Sequence, residues 1–301
     1  MAAMTTLDTR GAMHAPTLSP LLLLCLAATW VVWGSTYFAI KLALVSFPPF
    51  FQMGTRFGIA GALLMAWMHR RGAAWPNRVQ WRNALIVGAL MLGGGMGCTA
   101  FAEVSVGSGL VVAFIAVVPL MIALLNLLWG LRPARLEAAG IGVGLAGVLM
   151  LTQGAGFQAS PVGLAAIVLA TSTWSIGSVL SQRGLPLAPG AMGFASEMLC
   201  GGAVLMLLAL LNGEHAAWPP TPLASAAWVY LVVFGSLIAF NAYMLLLAHA
   251  SAGLASSYSF VNPVIGMLLG VTFGGEVVTR AEWGAAGVVL IGVVLLLLGR
   301  R

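Results

Sequence analysis

The chain has 301 residues, of which 61% are hydrophobic and 7% are charged, and its formal net charge is +6. A soluble domain needs roughly a quarter of charged residues on its surface, so this composition excludes an ordinary water-facing protein. The apolar stretches are about 20 residues long, which suits helices that cross a hydrocarbon core of about 30 Å and is too long for barrel strands. The sequence therefore predicts an all-α integral membrane protein.

Ten apolar segments are predicted to be transmembrane helices, in chain order 18–40, 47–69, 83–102, 108–130, 135–152, 161–182, 190–211, 223–248, 252–273 and 281–299. Residues 1–17 are predicted to form a disordered cytoplasmic tail. The first segment is expected to remain as a span, because it lacks the small-residue cleavage site of a signal peptide. The cysteines Cys25, Cys98 and Cys200 lie in predicted spans and are expected to be free, buried thiols. The last helix begins with a capping box, Thr279-Arg-Ala-Glu282, in which Glu282 has a structural role.

The sequence contains two copies of one unit. The run from Gly109-Leu110 to Pro119 recurs 144 residues later as Gly253-Leu254 to Pro263, and residues 56–65 align with 197–206. Ten spans in two copies give five per copy, and an odd number makes the second copy enter the membrane from the opposite side. We therefore predict two inverted five-helix repeats around a central cavity, at 18–152 and 161–301, joined by a loop at 153–160. Such duplication is typical of secondary transporters.

Basic residues predict the orientation of the chain. With both termini in the cytoplasm, ten basic residues fall on the cytoplasmic side: Arg10, Arg70, Arg71, Arg78, Arg82, Arg132, Arg135, Arg183, Arg300 and Arg301. Lys41 and Arg280 then lie on the outer side, and Arg56 lies within a span. This asymmetry follows the positive-inside rule. Because it accounts for the net charge, no nucleic-acid partner is predicted.

Motifs of ATP-driven pumps and of enzymes are missing from the sequence. No glycine run carries the Gly-Lys-Ser/Thr of a phosphate-binding loop, and the glycines are interpreted as helix-packing residues. The one aspartate, Asp8, lies in the tail, and the four histidines lie in the tail or at span ends. Membrane proteases and metal sites need clusters of such residues within spans. We therefore predict no enzyme activity, no metal and no cofactor, and the remaining role is movement of a solute.

Two ionisable residues at membrane depth, Arg56 and Glu197, occupy the same position in the two copies. Such groups are costly in lipid and normally face a cavity or a partner. Two interpretations are open: a mutual ion pair at the repeat interface, or two groups that face the cavity and hold the carboxylate and the ammonium of a zwitterion. Glu103, near the outer end of the third span, is interpreted as a solvated residue without a transport role.

Helix phase identifies polar and aromatic faces on four spans. Their members are Trp30, Trp33, Tyr37 and Lys41 in the first span, Thr171, Trp174, Ser178 and Gln182 in the sixth, Asn241 in the eighth, and Tyr258, Ser259, Asn262 and Gly266 in the ninth. Pro263 interrupts the last stripe, and a proline frees a backbone carbonyl, as suits a helix that lines a pore. Pro119 and Pro263 are predicted helix breaks or gating points. For each single residue, lipid contact or packing is an equal alternative to substrate contact.

Several runs together carry a family resemblance: Trp33-Gly-Ser-Thr-Tyr-Phe-Ala-Ile-Lys41, Arg56-Phe57, Tyr258-Ser-Phe-Val-Asn-Pro263, Gly275-Glu276, and the final Glu282-Trp-Gly-Ala-Ala-Gly helix. The chain resembles EamA-type permeases of the drug/metabolite transporter (DMT) superfamily, and within it the bacterial YedA-like and YddG-like exporters. The resemblance implies a cavity lined by the first, third, fourth, sixth, eighth and ninth helices and a multi-pass place in the bacterial inner membrane. It also implies export of amino acids or related metabolites. In the first half, Leu131-Arg132 stands where the second half has Gly275-Glu276.

The hypothesis from the sequence is an exporter of amino acids that works by alternating access, with lipid and a small-molecule substrate as partners and a monomer as its candidate oligomeric state. Cavity aromatics would cover the substrate or contact its ammonium, and Asn241 and Asn262 would bind its polar groups. Broad selectivity is expected. Alternatives are an exporter of other drugs or metabolites, a nucleotide-sugar-like carrier, which would need more cavity cations than Arg56, and a non-transporting membrane subunit.

Overall fold

The regular structure of the chain is a bundle of long helices. The structure is a computed structural model and describes residues 19–106, 111, 114–152, 160–273 and 278–299. Predictions for the tail at 1–17, for the loop at 153–159, and for Gly109, Gly275 and Glu276 lie outside these residues.

The helices follow the predicted spans in order. They are α1 (Pro20–Leu44), α2 (Pro49–Arg70), α3 (Arg78–Ala102), α4 (Val118–Trp129), α5 (Arg135–Thr152), α6 (Pro161–Arg183), α7 (Ala191–Leu211), α8 (Pro222–His249), α9 (Tyr258–Phe273) and α10 (Arg280–Gly299). A single turn, Ala252–Ala255, precedes α9. Within the described residues, seven helical stretches have the length and hydropathy needed to cross a membrane, so all-helical membrane architecture is confirmed, whereas the number of ten spans stays a prediction.

Helix starts follow a simple local rule. Ser19, Ser160 and Thr221 each precede a proline, and their hydroxyl oxygens accept a hydrogen bond from a backbone N–H in the first turn of α1, α6 and α8. A hydroxyl N-cap followed by proline satisfies free amides and fixes the first helical φ angle. The predicted capping box of α10 is present, because Thr279 N donates to Glu282 Oε2 at 2.7 Å and Glu282 N donates to Thr279 Oγ1 at 3.3 Å.

Helix α3 begins at Arg78, five residues before the predicted start, because Asn77 and Gln80 form a capping box. The three cysteines are free, as predicted, but only Cys25 is buried, whereas Cys98 and Cys200 are partly exposed. Large apolar side chains on the outside of the bundle are strongly exposed, for example Leu24 at 68% and Leu210 at 72%. This exterior matches a surface that faces lipid.

Helix pairs in the bundle are equivalent between the two copies. Helix α2 packs on its counterpart α7, and α5 packs on its counterpart α10. Helix α1 packs on α9 and α8 in the same way that α6 packs on α4 and α3. Glycines allow the two counterpart pairs to cross closely: a Cβ atom at Gly202 would lie 2.7 Å from Gly58 N, and one at Gly292 would lie 2.5 Å from Gly144 N. Exchange of the two copies leaves this contact pattern unchanged.

Two π-helical segments lie at matching places in the two copies, Ala89–Gly97 within α3 and Leu231–Phe240 within α8. A π segment widens the helix turn and redirects side chains and carbonyls, and it is frequent at functional sites. Both segments face the helices that carry the predicted aromatic stripes: a Cβ at Gly95 would lie 2.9 Å from the Trp174 ring, and the Gly235 carbonyl accepts a hydrogen bond from Trp33.

Candidate substrate cavity

Four aromatic side chains meet in the centre of the bundle. The Trp33 ring centroid lies 4.7 Å from that of Tyr258, 5.2 Å from that of Tyr243 and 5.7 Å from that of Trp174. All four side chains are buried, and most of the ring pairs adopt edge-to-face or tilted geometry, which favours aromatic association. We call Trp33, Trp174, Tyr243 and Tyr258 the aromatic cluster.

The sequence predicted three members of the cluster and missed the fourth. Tyr243 is fully buried, and its hydroxyl shares a 2.9 Å hydrogen bond with Ser178 Oγ. Ser178, a predicted cavity residue, also donates to the Trp174 carbonyl at 2.7 Å, so its hydroxyl supports the cluster from outside the cavity. A tyrosine within the eighth apolar segment, two residues after Asn241, is the sequence signal available for Tyr243.

The π segment of α8 supports one side of the cavity. Trp33 Nε1 donates to the Gly235 carbonyl at 3.2 Å, and Arg56 Nε donates to Ser236 Oγ at 2.7 Å. A Cβ at position 235 would lie 2.8 Å from Arg56 Nη2, so a larger residue there would displace the guanidinium. The Phe57 ring centroid lies 4.8 Å from Arg56 Cζ and gives a cation–π contact. Gly235 and Ser236 were not predicted from the sequence.

A cavity of about 60 Å³ lies beside the aromatic cluster and receives side chains from both copies. Its described lining is Trp33, Thr36, Tyr37, Ile40, Met53, Arg56, Gly95, Met96, Thr99, Ile115, Val118, Ala170, Thr171, Trp174 and Tyr258. Helices α1, α3, α4, α6 and α9 contribute, as the resemblance implied. Helix α2 contributes as well, through Met53 and Arg56, whereas α8 lies behind Trp33 and Arg56.

Arg56 and Glu197 are not paired. Arg56 is 1% exposed, lines the cavity and is bonded to Ser236, whereas Glu197 is fully buried and is not among the described lining residues. Neither carboxylate oxygen of Glu197 has a hydrogen-bond partner in the part of the chain that the structure describes. Within the described residues the Arg56–Glu197 ion pair is not formed, and a place for Glu197 at the cavity stays a prediction. The two residues match in sequence, but Arg56 reaches α8, whereas the backbone of Glu197 lies against Gly88 of α3.

Other predicted residues lie around the cavity with different roles. Trp30 Nε1 donates to Ser257 Oγ at 2.9 Å, beside the break before α9. Asn241 Nδ2 donates to the Leu237 carbonyl of its own helix at 2.9 Å, so this amide does not face the cavity. Asn262 is 3% exposed, and neither its side-chain nitrogen nor its side-chain oxygen has a hydrogen-bond partner among the described residues. Both oxygens of Glu103 are buried, so its interpretation as a solvated carboxylate is wrong.

The two predicted helix breaks differ in the structure. Pro119 is in the first turn of α4, where proline starts a helix, and the chain turns at 116–117 just before it. Pro263 lies inside α9, and the helix continues through it to Phe273. The break on the ninth segment instead lies at Ser256 and Ser257, between the single turn Ala252–Ala255 and α9.

A second cavity, of about 740 Å³, opens at the end of the bundle that carries Arg132 and Arg183. The two cavities meet α6 at different levels: Trp174 lines the smaller one, and Gln182, two turns later on α6, lines the larger one. At the opposite end, the loops before α2 and α8 are bonded together. Glu214 accepts hydrogen bonds from Phe50 N and Phe51 N at 3.2 and 2.7 Å, and Ala217 N donates to Ser46 O at 2.8 Å.

Two buried glutamates allow a matched stability test. Glu137 is 8% exposed, and its Oε1 accepts a hydrogen bond from Gly253 N at 2.9 Å, whereas the Glu197 oxygens have no such donor within the described residues. Glu137→Leu is expected to destabilise the fold by about 1–3 kcal/mol, because it leaves a buried amide unsatisfied. Glu197→Leu is expected to preserve or raise stability, because it removes unsatisfied buried polar atoms.

Thermal unfolding of both variants in the same detergent compares these effects directly. A fall in melting temperature for Glu197→Leu as large as that for Glu137→Leu would mean that the Glu197 carboxyl is bonded in the folded protein.

The described residues hold no group of three His, Cys, Asp or Glu side chains placed to bind a metal ion.

Comparison with known proteins identifies the family. The sequence profile of the EamA-like transporter family matches twice, at residues 18–153 and 161–298. The chain is 41% identical over 276 residues to the uncharacterized inner membrane transporter YedA of Escherichia coli (strain K12), covering 91% of this chain and 90% of the relative. It is 28% identical over 269 residues to protein PecM of Dickeya dadantii (strain 3937), covering 88% and 86%.

The fold also matches a crystal structure. The match has a TM-score of 0.76 at 24% identity and covers 92% of this chain and 96% of the other. At that identity the likeness concerns the fold alone. The duplicated family match and the 41% identity with YedA over nine-tenths of both chains carry the assignment. The chain therefore belongs to the EamA-like transporter family.

Proposed function

We propose that this protein exports amino acids, such as threonine, methionine and aromatic amino acids, and related metabolites across the bacterial inner membrane by alternating access. The observation that carries the proposal is the cavity between the two copies, which combines a buried cation, hydroxyls and aromatic faces. Polar groups fix a small solute and aromatic faces cover its apolar part. The proposed substrate-contacting or supporting residues are Trp30, Trp33, Tyr37, Arg56, Trp174, Ser178, Asn262 and Tyr258.

The proposed topology has ten spans in two inverted halves at 18–152 and 161–301, with both termini in the cytoplasm. The equivalent helix pairs and the matching π segments support the two halves. Under this orientation the larger cavity opens to the cytoplasm, on the side of Arg132 and Arg183, and the bonded loops before α2 and α8 close the outer side. Rocking of the halves about the aromatic cluster would reverse this access.

A small solute fits the cavity better than the alternatives do. The cavity volume of about 60 Å³ is far below the roughly 300–1,000 Å³ of pockets for drug-sized ligands, so this conformation favours the smallest amino acids, and larger ones require the cavity to widen. A nucleotide sugar carries two phosphates, which usually require several cations, and Arg56 is the one Arg or Lys among the described lining residues. A non-transporting subunit would have no use for a buried guanidinium that faces an internal space.

Uptake by purified protein in liposomes tests the proposal. Radiolabelled threonine, methionine and phenylalanine are compared with protein-free vesicles, with and without a pH gradient. We expect saturable uptake that unlabelled amino acids compete away. Uptake no higher than that of empty vesicles for all three would reject amino-acid export. The Glu197→Gln variant tests proton coupling in the same assay. If this variant still takes up amino acids but its uptake no longer depends on the pH gradient, proton transfer is assigned to the Glu197 carboxyl.

A further inference from the structure

The charge of the cavity wall is unbalanced. Arg56 is the one residue with a permanent charge among the described lining residues, and the others are apolar, hydroxyl-bearing or aromatic. Glu197, its counterpart in the other copy, is not among these residues, and neither is Glu103. Arg56 has no counter-ion among the described residues, and a buried charge of this kind normally faces a partner or a functional cavity.

The contacts of Arg56 with the described residues leave part of its guanidinium free. Nε donates to Ser236 Oγ at 2.7 Å, and Nη1 approaches Met53 Sδ at 3.5 Å, which is a weak acceptor. These contacts use two of the five N–H groups of the guanidinium. Phe57 covers one face of the group, and Gly235 allows the α8 backbone to approach Nη2 closely. Ser236 thus positions Arg56, and the remaining donors are available to a ligand in the cavity.

The shape of these donors favours a carboxylate. Arginine presents parallel N–H groups that match the two oxygens of a carboxylate, and such charge-assisted pairs are stronger than neutral hydrogen bonds. Trp33, Trp174 and Tyr258 also line the cavity and offer apolar ring faces to the rest of the ligand. No carboxylate among the described lining residues stands ready to neutralise an ammonium group.

We infer that the cavity selects its solute through a single carboxylate bound by Arg56, so that small monocarboxylic acids bind with or without an amino group. The inference rests on the proposed function and names the feature that its site recognises. Amino acids are then accepted through their carboxylate, and the aromatic faces cover the remainder. Solutes that carry only a positive charge are repelled by Arg56 and are excluded.

A matched series of solutes tests this inference. Phenylalanine, 3-phenylpropanoate, phenylalanine amide and phenethylamine share one ring and differ only in the carboxylate and the amine. Each competes with labelled phenylalanine for uptake in liposomes, and each is titrated against the purified protein by calorimetry. We expect the two acids to bind at least about tenfold more tightly than the amide and the amine, as the loss of a charge-assisted pair implies.

Variants test the residue that reads the carboxylate. Arg56→Gln is expected to reduce the preference for acid over amide to less than about threefold. Arg56→Lys is expected to retain part of the preference, because lysine keeps the positive charge but lacks the parallel N–H groups that bind both carboxylate oxygens. Ser236→Ala is expected to raise KM for acids with little change in kcat, since it loosens the guanidinium. Arg70→Gln, at an exposed position on the same helix, is the matched control and should retain the wild-type preference.

The outcomes separate the inference from the proposed function. Equal binding of the acid and the amide by the wild type would overturn the inference, and so would an unchanged preference in Arg56→Gln. The wild-type series decides the matter if Arg56→Gln does not fold. If none of threonine, methionine and phenylalanine is transported, amino-acid export fails, whereas calorimetry with 3-phenylpropanoate and phenethylamine still tests the carboxylate site.

Discussion

Replacing Trp33 with alanine is expected to lower the initial rate of amino-acid uptake by about a hundredfold or more. Trp33 contacts the other three rings of the aromatic cluster, and its Nε1 donates a hydrogen bond to Gly235 of the α8 π segment. Each aromatic pair contributes about 0.5–1.5 kcal/mol, and a loss of about 2.7 kcal/mol at a binding site corresponds to a hundredfold loss of affinity. Uptake by reconstituted protein, normalised to the amount of folded protein, measures the effect.

Two further variants show whether the effect belongs to the cavity. Trp283 is 50% exposed on the outside of α10, so Trp283→Ala controls for the loss of a tryptophan without damage to the cluster. Trp33→Phe keeps an aromatic ring but loses the hydrogen bond to Gly235, and its uptake rate should lie between those of the wild type and Trp33→Ala. If Trp33→Ala takes up amino acids at the wild-type rate, the aromatic cluster does not take part in transport.

The positions of the helices and of three cluster aromatics could be predicted because they depend on local sequence. A span needs a long apolar run, and its ends carry cap residues such as Thr279 and Glu282, so hydropathy and capping locate most helices to within a few residues. Trp33, Trp174 and Tyr258 lie on regular turns of α1, α6 and α9, where helical phase indicates the face correctly.

The support of the cavity by α8 could not be predicted, because a π segment breaks the phase on which the prediction depends. Within Leu231–Phe240 the turn is wider than in an α-helix, so a residue's angular position no longer follows from its number. Phase analysis did not identify Gly235 and Ser236, which lie within this segment. The role of Gly235 also depends on its carbonyl oxygen and its missing side chain, which a search for chemically active side chains does not consider.

The sequence could not predict, for a different reason, that Arg56 and Glu197 lie apart. Duplication places the two residues at equivalent positions, but equivalent positions do not ensure equivalent environments. The neighbours have diverged: Ser236 of α8 binds Arg56, whereas the described residues offer the Glu197 carboxylate no donor. A sequence repeat thus predicts the backbone positions of two equivalent residues, whereas the neighbouring residues determine what each side chain can bind.

Replacing Gly292 with leucine is expected to remove most of the folded protein. A Cβ atom at this position would lie 2.5 Å from Gly144 N and 2.7 Å from Gly144 Cα, so the obstacle is backbone and cannot move aside as a side chain does. Overpacking of a tight contact costs about 1–3 kcal/mol, and we expect about 3 kcal/mol or more here because α5 and α10 must separate. The fraction of monodisperse protein and its melting temperature in detergent measure the loss.

Gly287→Leu is the matched control on the same helix. A Cβ at Gly287 meets no atom of the structure within 4 Å, so leucine there should point toward lipid and leave stability unchanged. Both variants add the same apolar side chain, so a difference between them reports packing and not membrane insertion. The described lining of the smaller cavity includes no residue of α5 or α10. The surviving Gly292→Leu molecules should therefore transport normally, and equal stability of the two variants would mean that α5 and α10 do not pack through Gly144 and Gly292.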